Sequence, residues 1–413
     1  MASSQNVEIE EARRIVLGAV APLAPCDVEL DDALGRVLAE DLVADRPLPA
    51  FDVSAMDGFA VKAGDLVGAS SDRPVALSIV GESCAGSPAT ASIEGGQALA
   101  ISTGGVIPAG ADAVVPVERA SRHDGRVEMD HAVAVGADVR RAGEDVAAGA
   151  TVLSSGTTLG PAQLGMLASL QRSHVSCARQ PRVSVLVTGD ELLAAGEQPR
   201  PGAIGDSNSH SLAALARCAG AQLAHRLHVG DDAASTRAAI AQAASDADAL
   251  IICGGVSVGE HDHVRPSLAA LGARQEFWGL ALRPGHPTWF GTLHDTPVFG
   301  LPGNPVSAMV TFVLFAAPAL RAMQGAPVAG ARPTAVLDGG YQKPAGRAHA
   351  LRCRLSARED GWHASVTGAQ GSHVLSSMLA ADALAIVPSD VTRLQPGARV
   401  EIEPLCRWTG PWR

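Results

Sequence analysis

The stretch RVSVLVTGDE, residues 182–191, decides the fold of the central part of the chain. After its first arginine, an uncharged run rich in valine leads into a glycine and two acids, a pattern typical of a buried strand that ends in a loop. The pattern returns at DALIICGG (248–255) and TPVFGLPG (296–303), with helical segments between the strands. Strands that alternate with helices in this way predict a parallel sheet with helices on both faces.

The segments outside this region have other patterns. Residues 47–139 contain short strands and turns, including an Asp124–Gly125 hairpin signal, and predict a small β module. Helical periodicity at 8–20 and at 157–171 brackets that module, so the module is expected to be an insertion in one helical unit. Strands return after residue 333 and predict a second small barrel. The predicted fold is multidomain α/β plus β. It has a helical unit (1–46 with 140–178), an inserted β module (47–139), an α/β domain (179–326) and a C-terminal β-barrel (327–413).

The composition excludes several classes of partner. The chain has 43 acidic and 32 basic side chains and a formal net charge of −11, so it has no general attraction for nucleic acid or an anionic membrane. Its seven cysteines are scattered without a Cys-x-x-Cys pair, which fits a reducing compartment. The N-terminus lacks an apolar signal core, and the uncharged stretch 296–320 contains four prolines. We therefore expect a cytoplasmic protein without a membrane span.

The polar chemistry concentrates in three loops that follow predicted strands. In parallel α/β sheets, ligands bind beyond the carboxyl ends of the strands. Glycines let backbone amides approach an anion, and a helix N-terminus adds unpaired N–H donors. These loops predict a site for a phosphate-bearing ligand, although a role as ordinary turns and helix starts stays open for each of them. The loops are Thr188-Gly189-Asp190-Glu191, GGVSVGEHD at 254–262 and PGNPVS at 302–307.

Three generic motifs overlap the central loop, and none fits well. A phosphate-binding P-loop is rejected because Glu260 stands where the motif needs lysine. GVSVG matches the serine-hydrolase elbow at Ser257, but the elbow needs a helix directly after the serine, and here a helix is expected only from about His263. A zinc site on His261 and His263 lacks a third ligand at fitting spacing. A serine hydrolase remains the weaker alternative.

A set of longer motifs resembles the molybdopterin molybdenumtransferase family, which includes MoeA and the gephyrin E domain. The similarity runs in order from about residue 7 to 405. The motifs are FDVSAMDGFAV (51–61), STGG (102–105) with Pro108 and GADAVV (110–115), RRAGED (140–145), TGDEL (188–192), GDSN (205–208), GGVSVGEHD (254–262) and GLPGNPVSA (300–308).

The resemblance implies an enzyme, a molybdopterin molybdotransferase, that acts in the last step of molybdenum-cofactor biosynthesis. Its substrates would be adenylylated molybdopterin and molybdate, and AMP would be released with the help of a divalent metal. The family's α/β domain is similar to molybdopterin adenylyltransferase, and the family forms an elongated homodimer through its helical unit. Shared active sites would then be closed by the partner subunit. Transient contact with a molybdopterin adenylyltransferase and with cofactor-receiving enzymes is also expected.

Site residues follow from the resemblance by position. Pyrophosphate cleavage suits Mg²⁺, which binds through one or two carboxylates and substrate phosphates. The expected catalytic residues are Asp57, Asp145, Glu191, Asp206 and Asp262, of which the last three would also bind the metal. Helix capping is the alternative role for Asp206. The expected cofactor-binding residues are Thr103, Thr188, Gly254, Gly255, Ser257, Gly259, Pro302, Gly303, Asn304 and Ser307.

The expected molybdate site departs from the family. Where the family carries two lysines, this chain has Arg283 and His286 in the segment RPGHP. Arginine keeps the positive charge with a different donor geometry, whereas histidine keeps it only when protonated. Because the family includes members with structural roles, a non-catalytic scaffold that binds molybdopterin is a second hypothesis, and retention of the acidic set weighs against it. Release of AMP that depends on metal and molybdate would separate the two.

Overall fold

The computed structural model of the protein describes residues 6–257, 259, 262–328 and 332–405 of the 413. We name four packed units in it. The α/β domain (179–326), the β module (47–139), a connecting unit (20–46 with 140–178) and the C-terminal barrel (334–405) each contain a hydrophobic cluster of their own. A further, larger cluster joins the α/β domain to the N-terminal helix and to part of the barrel.

The α/β domain contains a six-stranded sheet. Its four neighbouring parallel strands are, in spatial order, Gln222–Val229, Arg182–Thr188, Ala249–Cys253 and Thr296–Leu301. Two antiparallel strands that the sequence did not indicate, Trp289–Leu293 and Arg274–Trp278, extend one edge. The loop between Leu293 and Thr296 is too short for a crossover, and His294 has the left-handed φ of 54° that hairpin turns use. The predicted parallel sheet is thus confirmed for four strands and continues as a mixed sheet.

Helices cover both faces of this sheet, as predicted. Val183, Val185 and Val187 pack on one face, and Leu186 packs on the other with Ile240. These alternating residues are fully or almost fully buried, which explains why the central strand reads as a continuous apolar run. The helices are Asn208–Cys218, Ala233–Ala244, Val264–Ala270 and a continuous run made of Pro305–Thr311, Phe312–Ala316 and Ala317–Ala322.

The helical run from Pro305 to Ala322 is long and apolar enough to cross a membrane by length and composition, with a mean hydropathy of 1.5. It is the one helix with this property in the described part of the chain, and 67% of it is buried inside the protein. Phe312 and Phe315 of this run belong to the hydrophobic core of the α/β domain. The apolar character of the run is therefore explained by its place in the core of the protein.

The N-terminal helix, Ile9–Gly18, also packs on the α/β domain. Its buried residues Ile9, Ala12 and Val16 belong to the same hydrophobic cluster as Phe312. The sequence grouped this helix with residues 140–178. In the structure its apolar face is covered by the long core helix, and only residues after it contribute to the connecting unit.

The connecting unit contains one helix and four short strands. The helix, Pro161–Ser169, confirms the periodicity seen in the sequence. The unit is nevertheless less helical than expected, because Val28, Val175 and Cys177 are buried in alternation along two paired strands. The paired strands are Pro25–Glu29 with His174–Ala178 and Leu42–Val43 with Thr151–Leu153.

The β module and the C-terminal barrel are both present as predicted. The Asp124–Gly125 hairpin has positive φ at both residues, 42° and 77°, as a type I′ turn requires. The module's strands, in spatial order, are Ala113–Pro116, Gly58–Val61, Gln97–Ile101, Val75–Ser83, Arg126–Met129 and Ala120–His123, and Val53–Ser54 pairs with Val139–Arg140 at its base. The barrel closes in the order Ala348–Arg358, Gly361–Val366, Thr334–Leu337, Arg399–Pro404, Ala383–Val387 and back to Ala348–Arg358, with Tyr341–Gln342 paired to Arg393–Leu394 beside it.

Candidate active site

The three predicted loops meet at the carboxyl edge of the parallel strands. Gly254 N–H donates to the Leu301 carbonyl at 3.1 Å, and the Asn208 side-chain amide donates to the Gly303 carbonyl at 2.8 Å. A Cβ on Gly254 would lie 2.8 Å from Thr188 Oγ1. These contacts join the loops after all three strands into one surface, so the structure brings together the loop residues predicted for cofactor binding.

Glycine is required at the double glycine of the central loop. Gly254 and Gly255 both have positive φ, 93° and 63°. A Cβ on Gly255 would lie 2.8 Å from Val264 Cγ2, so a side chain there would displace the following helix. The turn therefore has a packing requirement of its own.

The third loop begins the core helix. Asn304 has an extended backbone at the N-cap position, and Pro305 follows at the first helical position. Ser307, predicted to bind cofactor, lies in the first turn of this helix and is 3% exposed. Pro302 accepts a bond from the buried thiol of Cys253 at 3.3 Å, which ties this loop to the neighbouring strand.

The three predicted metal-binding acids lie in these loops with different local bonds. Asp206 Oδ1 accepts a hydrogen bond from Ser209 N–H at 2.9 Å. This carboxylate therefore caps its helix, which is the alternative role expected for it. Asp262 Oδ2 accepts from Gly259 N–H at 2.7 Å, and Glu191 is exposed. Within residues 6–257, 259, 262–328 and 332–405, no three His, Cys, Asp or Glu side chains gather as a ready metal site. These residues fit Mg²⁺ only as one or two carboxylates beside substrate phosphates.

Asp57 and Asp145 are in or beside the β module. Asp57 Oδ1 accepts from both the backbone N–H and the hydroxyl of Thr103, at 2.6 and 2.9 Å. These two bonds lower the pKa of Asp57, which keeps the carboxylate charged. Asp145 is exposed, and its backbone N–H bonds to the Leu48 carbonyl. The structure therefore pairs Asp57 with Thr103 within the β module.

The expected molybdate residues occupy the junction with the C-terminal barrel. Arg283 pairs in register with His349, the second residue of a barrel strand. Arg283 itself is exposed. In the described part of the chain, Arg283 makes no ion pair or side-chain hydrogen bond. His286 Nδ1 bonds to the Leu280 carbonyl at 2.8 Å. The neutral imidazole therefore carries its proton on Nδ1, and only the protonated ring can donate from Nε2.

Trp278 connects His286 to the central loop, and the sequence reading missed it. Its indole N–H donates to the Val256 carbonyl at 3.0 Å, and its ring centroid lies 6.1 Å from that of His286 in an edge-on arrangement. The guanidinium of Arg265 stacks 4.7 Å from the same indole. Aromatic residues are rare in this chain, and that rarity was the sequence signal that could have singled out Trp278.

Further cations of the barrel adjoin Arg283. Burial, together with the charges of Lys343, Arg283 and Arg347, lowers the pKa of His349 to about 4. Arg352 is 1% exposed and bonds to the Ser377 hydroxyl and to backbone carbonyls. In the sequence, this cluster of cations is indicated by the arginine within the apolar strand AHALRCRL.

Neither generic alternative gains support from the geometry. The strand before Ser257 ends at Cys253 and the next helix begins at Val264, so Ser257 is not at a strand-to-helix elbow. His261, the first of the two proposed zinc ligands, and residues 258 and 260 lie outside the described residues.

Fold and site together define a multidomain protein whose α/β domain brings three glycine-containing loops together at the carboxyl edge of its parallel strands. Three family models match consecutive parts of the chain. These are the MoeA N-terminal region (domains I and II) at residues 7–170, a probable molybdopterin binding domain at 184–322 and the MoeA C-terminal region (domain IV) at 334–405. The chain belongs to the molybdopterin molybdenumtransferase (MoeA) family, so the predicted resemblance is confirmed.

Individual relatives match over nearly their full lengths. Molybdopterin molybdenumtransferase 2 of Mycobacterium tuberculosis is 37% identical over 401 residues, which cover 95% of this chain and 98% of the relative. The molybdopterin molybdenumtransferase of Haemophilus influenzae is 35% identical and covers 91% of this chain and 93% of its own. A solved structure of the molybdopterin biosynthesis MoeA protein from Pyrococcus horikoshii superposes with a TM-score of 0.84 at 30% identity, covering 98% of this chain and all of its own.

Proposed function

We propose that this protein inserts molybdenum from molybdate into adenylylated molybdopterin and releases AMP, the last step of molybdenum-cofactor biosynthesis. A role in that biosynthesis follows from its family. The observation that best supports the specific reaction is the meeting of three glycine-containing loops and their carboxylates at one edge of the sheet, with Trp278 connecting that edge to His286.

The backbone of these loops would bind the phosphates. Gly254 N–H already donates to the Leu301 carbonyl and Val306 N–H to the Ser372 carbonyl. The N–H groups of Gly255 and Ser307 would therefore be the donors, and the helix dipole adds positive potential at Ser307. Glu191, Asp206 and Asp262 would hold Mg²⁺ against the phosphates. When bound, this ion would neutralise phosphate charge during pyrophosphate cleavage. The free Oδ2 of Asp206 remains available for this role while Oδ1 caps the helix.

Molybdate would bind beside Arg283 and His286. A tetrahedral dianion needs donors and positive charge, and Arg283 has no competing carboxylate in the described structure. The Leu280 carbonyl holds His286 Nδ1, which orients Nε2 for donation when the ring is protonated.

The working unit would be a cytoplasmic homodimer in which each site combines residues of both subunits. Asp57 is held by Thr103 within the β module, whereas Asp206 and Asp262 are held by bonds within the α/β domain. Two such half-sites suit a two-fold assembly, which would create two equivalent complete sites. The adenylyltransferase that makes the substrate and the enzymes that receive the cofactor would be transient partners.

The test is AMP release from adenylylated molybdopterin, measured with and without molybdate and Mg²⁺. We expect release only when both are present. Glu191→Gln should abolish most of it without lowering the melting temperature, because an exposed carboxylate contributes little to stability.

The matched control is Glu197→Gln, an exposed acid just beyond the short strand Leu192–Leu193 that accepts a hydrogen bond from Ala194 N–H. It should leave AMP release unchanged. If wild-type protein binds molybdopterin but releases no AMP under any condition, the scaffold hypothesis replaces the transferase.

A further inference from the structure

Two cysteines of the connecting unit face each other across paired antiparallel strands. Cys26 and Cys177 are register partners. The bond from Leu30 N–H to the Ser173 carbonyl, further along the same ladder, makes them a hydrogen-bonded pair. The Cα atoms of such a pair are about 5.5 Å apart, a separation at which disulfides commonly form. Their side chains also lie on the same face of the two strands.

The surroundings of the two thiols differ in a useful way. Cys26 is partly exposed, and Arg36 Nη2 lies 3.3 Å from its sulfur. Cys177 is completely buried, and burial raises the pKa of its thiol. A guanidinium stabilises a thiolate, which is the reactive form of cysteine, so Cys26 is the accessible nucleophile and Cys177 is protected from solvent.

We propose that Cys26 and Cys177 are a modification site, at which a peroxide converts the two thiols into a reversible disulfide. Residues 27–176, which include the whole β module, would then be enclosed in a covalent loop. This activity is independent of the cofactor chemistry, because neither cysteine belongs to the three loops of the candidate active site.

The reaction balances with hydrogen peroxide as the oxidant. The Cys26 thiolate attacks one peroxide oxygen, the O–O bond breaks, and after proton transfer a sulfenic acid and water result. The Cys177 sulfur then attacks the sulfenic sulfur, forming the S–S bond and releasing a second water. In total, two thiols lose two electrons and two protons to one peroxide. Proximity compensates for the low thiolate fraction of Cys177.

The backbone geometry favours reversibility. The Cβ atoms of directly opposed residues are about 4.5–5.5 Å apart, with hydrogen-bonded pairs at the longer end, whereas disulfides need about 3.5–4.5 Å. Closing the bond therefore draws the strands together by roughly 1 Å and strains the bond. Strained disulfides are reduced readily, which suits a switch in a reducing compartment.

The test is treatment of the purified full chain with hydrogen peroxide, followed by digestion without reductant and peptide mass spectrometry. We expect one cross-linked peptide pair containing Cys26 and Cys177, lighter by two hydrogen atoms than the separate peptides and released by dithiothreitol. The pair should be absent from Cys26→Ser and Cys177→Ser. It should persist in the control Cys84→Ser, which removes another partly exposed thiol.

A second measurement tests the role of Arg36. Arg36→Met should slow disulfide formation several-fold, and Arg36→Lys should restore much of the rate because the charge returns. The proposal is overturned if Cys26 ends as sulfinic or sulfonic acid while Cys177 stays a thiol. It is also overturned if the cross-link joins two copies of the chain, seen as a dimer on a non-reducing gel. An unchanged rate in Arg36→Met would overturn the activation by Arg36.

Discussion

Protonation of His349 should destabilise the C-terminal barrel in mild acid. The imidazole is 6% exposed, and its Nδ1 bonds to the Tyr341 hydroxyl at 2.8 Å. Burial, followed by the charges of Lys343, Arg283 and Arg347, lowers its pKa to about 4. Folding therefore holds this ring neutral, at a junction that also carries the expected molybdate residues.

The size of the effect follows from the two pKa values. An unfolded histidine has a pKa of about 6.5, so below that pH the unfolded chain binds a proton that the folded chain rejects. Stability from this group is thus complete above about pH 6.5 and falls as the pH drops to about 4. Each pH unit costs about 1.4 kcal/mol, so the loss between pH 7 and pH 5 is about 2 kcal/mol.

The variant His349→Asn should remove this loss, because asparagine can accept the Tyr341 bond but does not titrate. Hydrogen exchange of the strand Ala348–Arg358 at pH 7 and pH 5 measures the opening free energy of the barrel locally, which suits a multidomain chain. The control His123→Asn, at an exposed position in the β module, should keep the wild-type difference. An equal loss in wild type and His349→Asn would refute the reasoning.

Three further outcomes are expected. Asp57→Ala and Asp262→Ala should each be nearly inactive as homodimers, and refolding them together should recover about a quarter of wild-type AMP release if sites are shared; no recovery after verified subunit exchange contradicts sharing. Molybdate affinity, measured by calorimetry, should rise in His286→Lys, because lysine is positively charged at neutral pH whereas histidine is charged only when protonated; an unchanged affinity removes His286 from the site. Bonds to Asp338 and a second aspartate raise the pKa of His363, so its contribution to barrel stability is complete below about pH 6.5 and is lost as the pH rises through the folded pKa. His363→Asn should therefore destabilise the barrel more at pH 6 than at pH 9 by hydrogen exchange, and equal destabilisation would contradict this sign.

The parts of the fold that the sequence predicted are those with a strong local pattern. The run around Val185 is buried on both faces, so its apolar character is continuous and unmistakable. The Asp124–Gly125 turn needs positive φ at two positions, a demand that few residue pairs meet. In both cases the physical cause acts within about ten residues, where a single sequence can show it.

The missed features depend on distant partners. The strand Trp289–Leu293 is buried throughout, so it lacks alternation and stood unrecognised beside a predicted strand. One face of the N-terminal helix is apolar, but residues 9–18 alone do not indicate that the long core helix covers that face. The contact between Trp278 and the Val256 carbonyl likewise arises from the pairing of sheet-edge strands, which local sequence does not encode.

The charge balance of the candidate site bears on how its ligands would bind. The sheet edge carries Glu191, Asp206 and Asp262, and its proposed ligands, a pyrophosphate ester and a molybdate dianion, are themselves negative. Backbone amides supply only partial positive charge, and Arg283 supplies one full charge. Like charges held close repel strongly once water is excluded. A divalent cation that arrives with the phosphates would restore the balance. Substrate binding itself, and not only turnover, is therefore expected to depend on the metal.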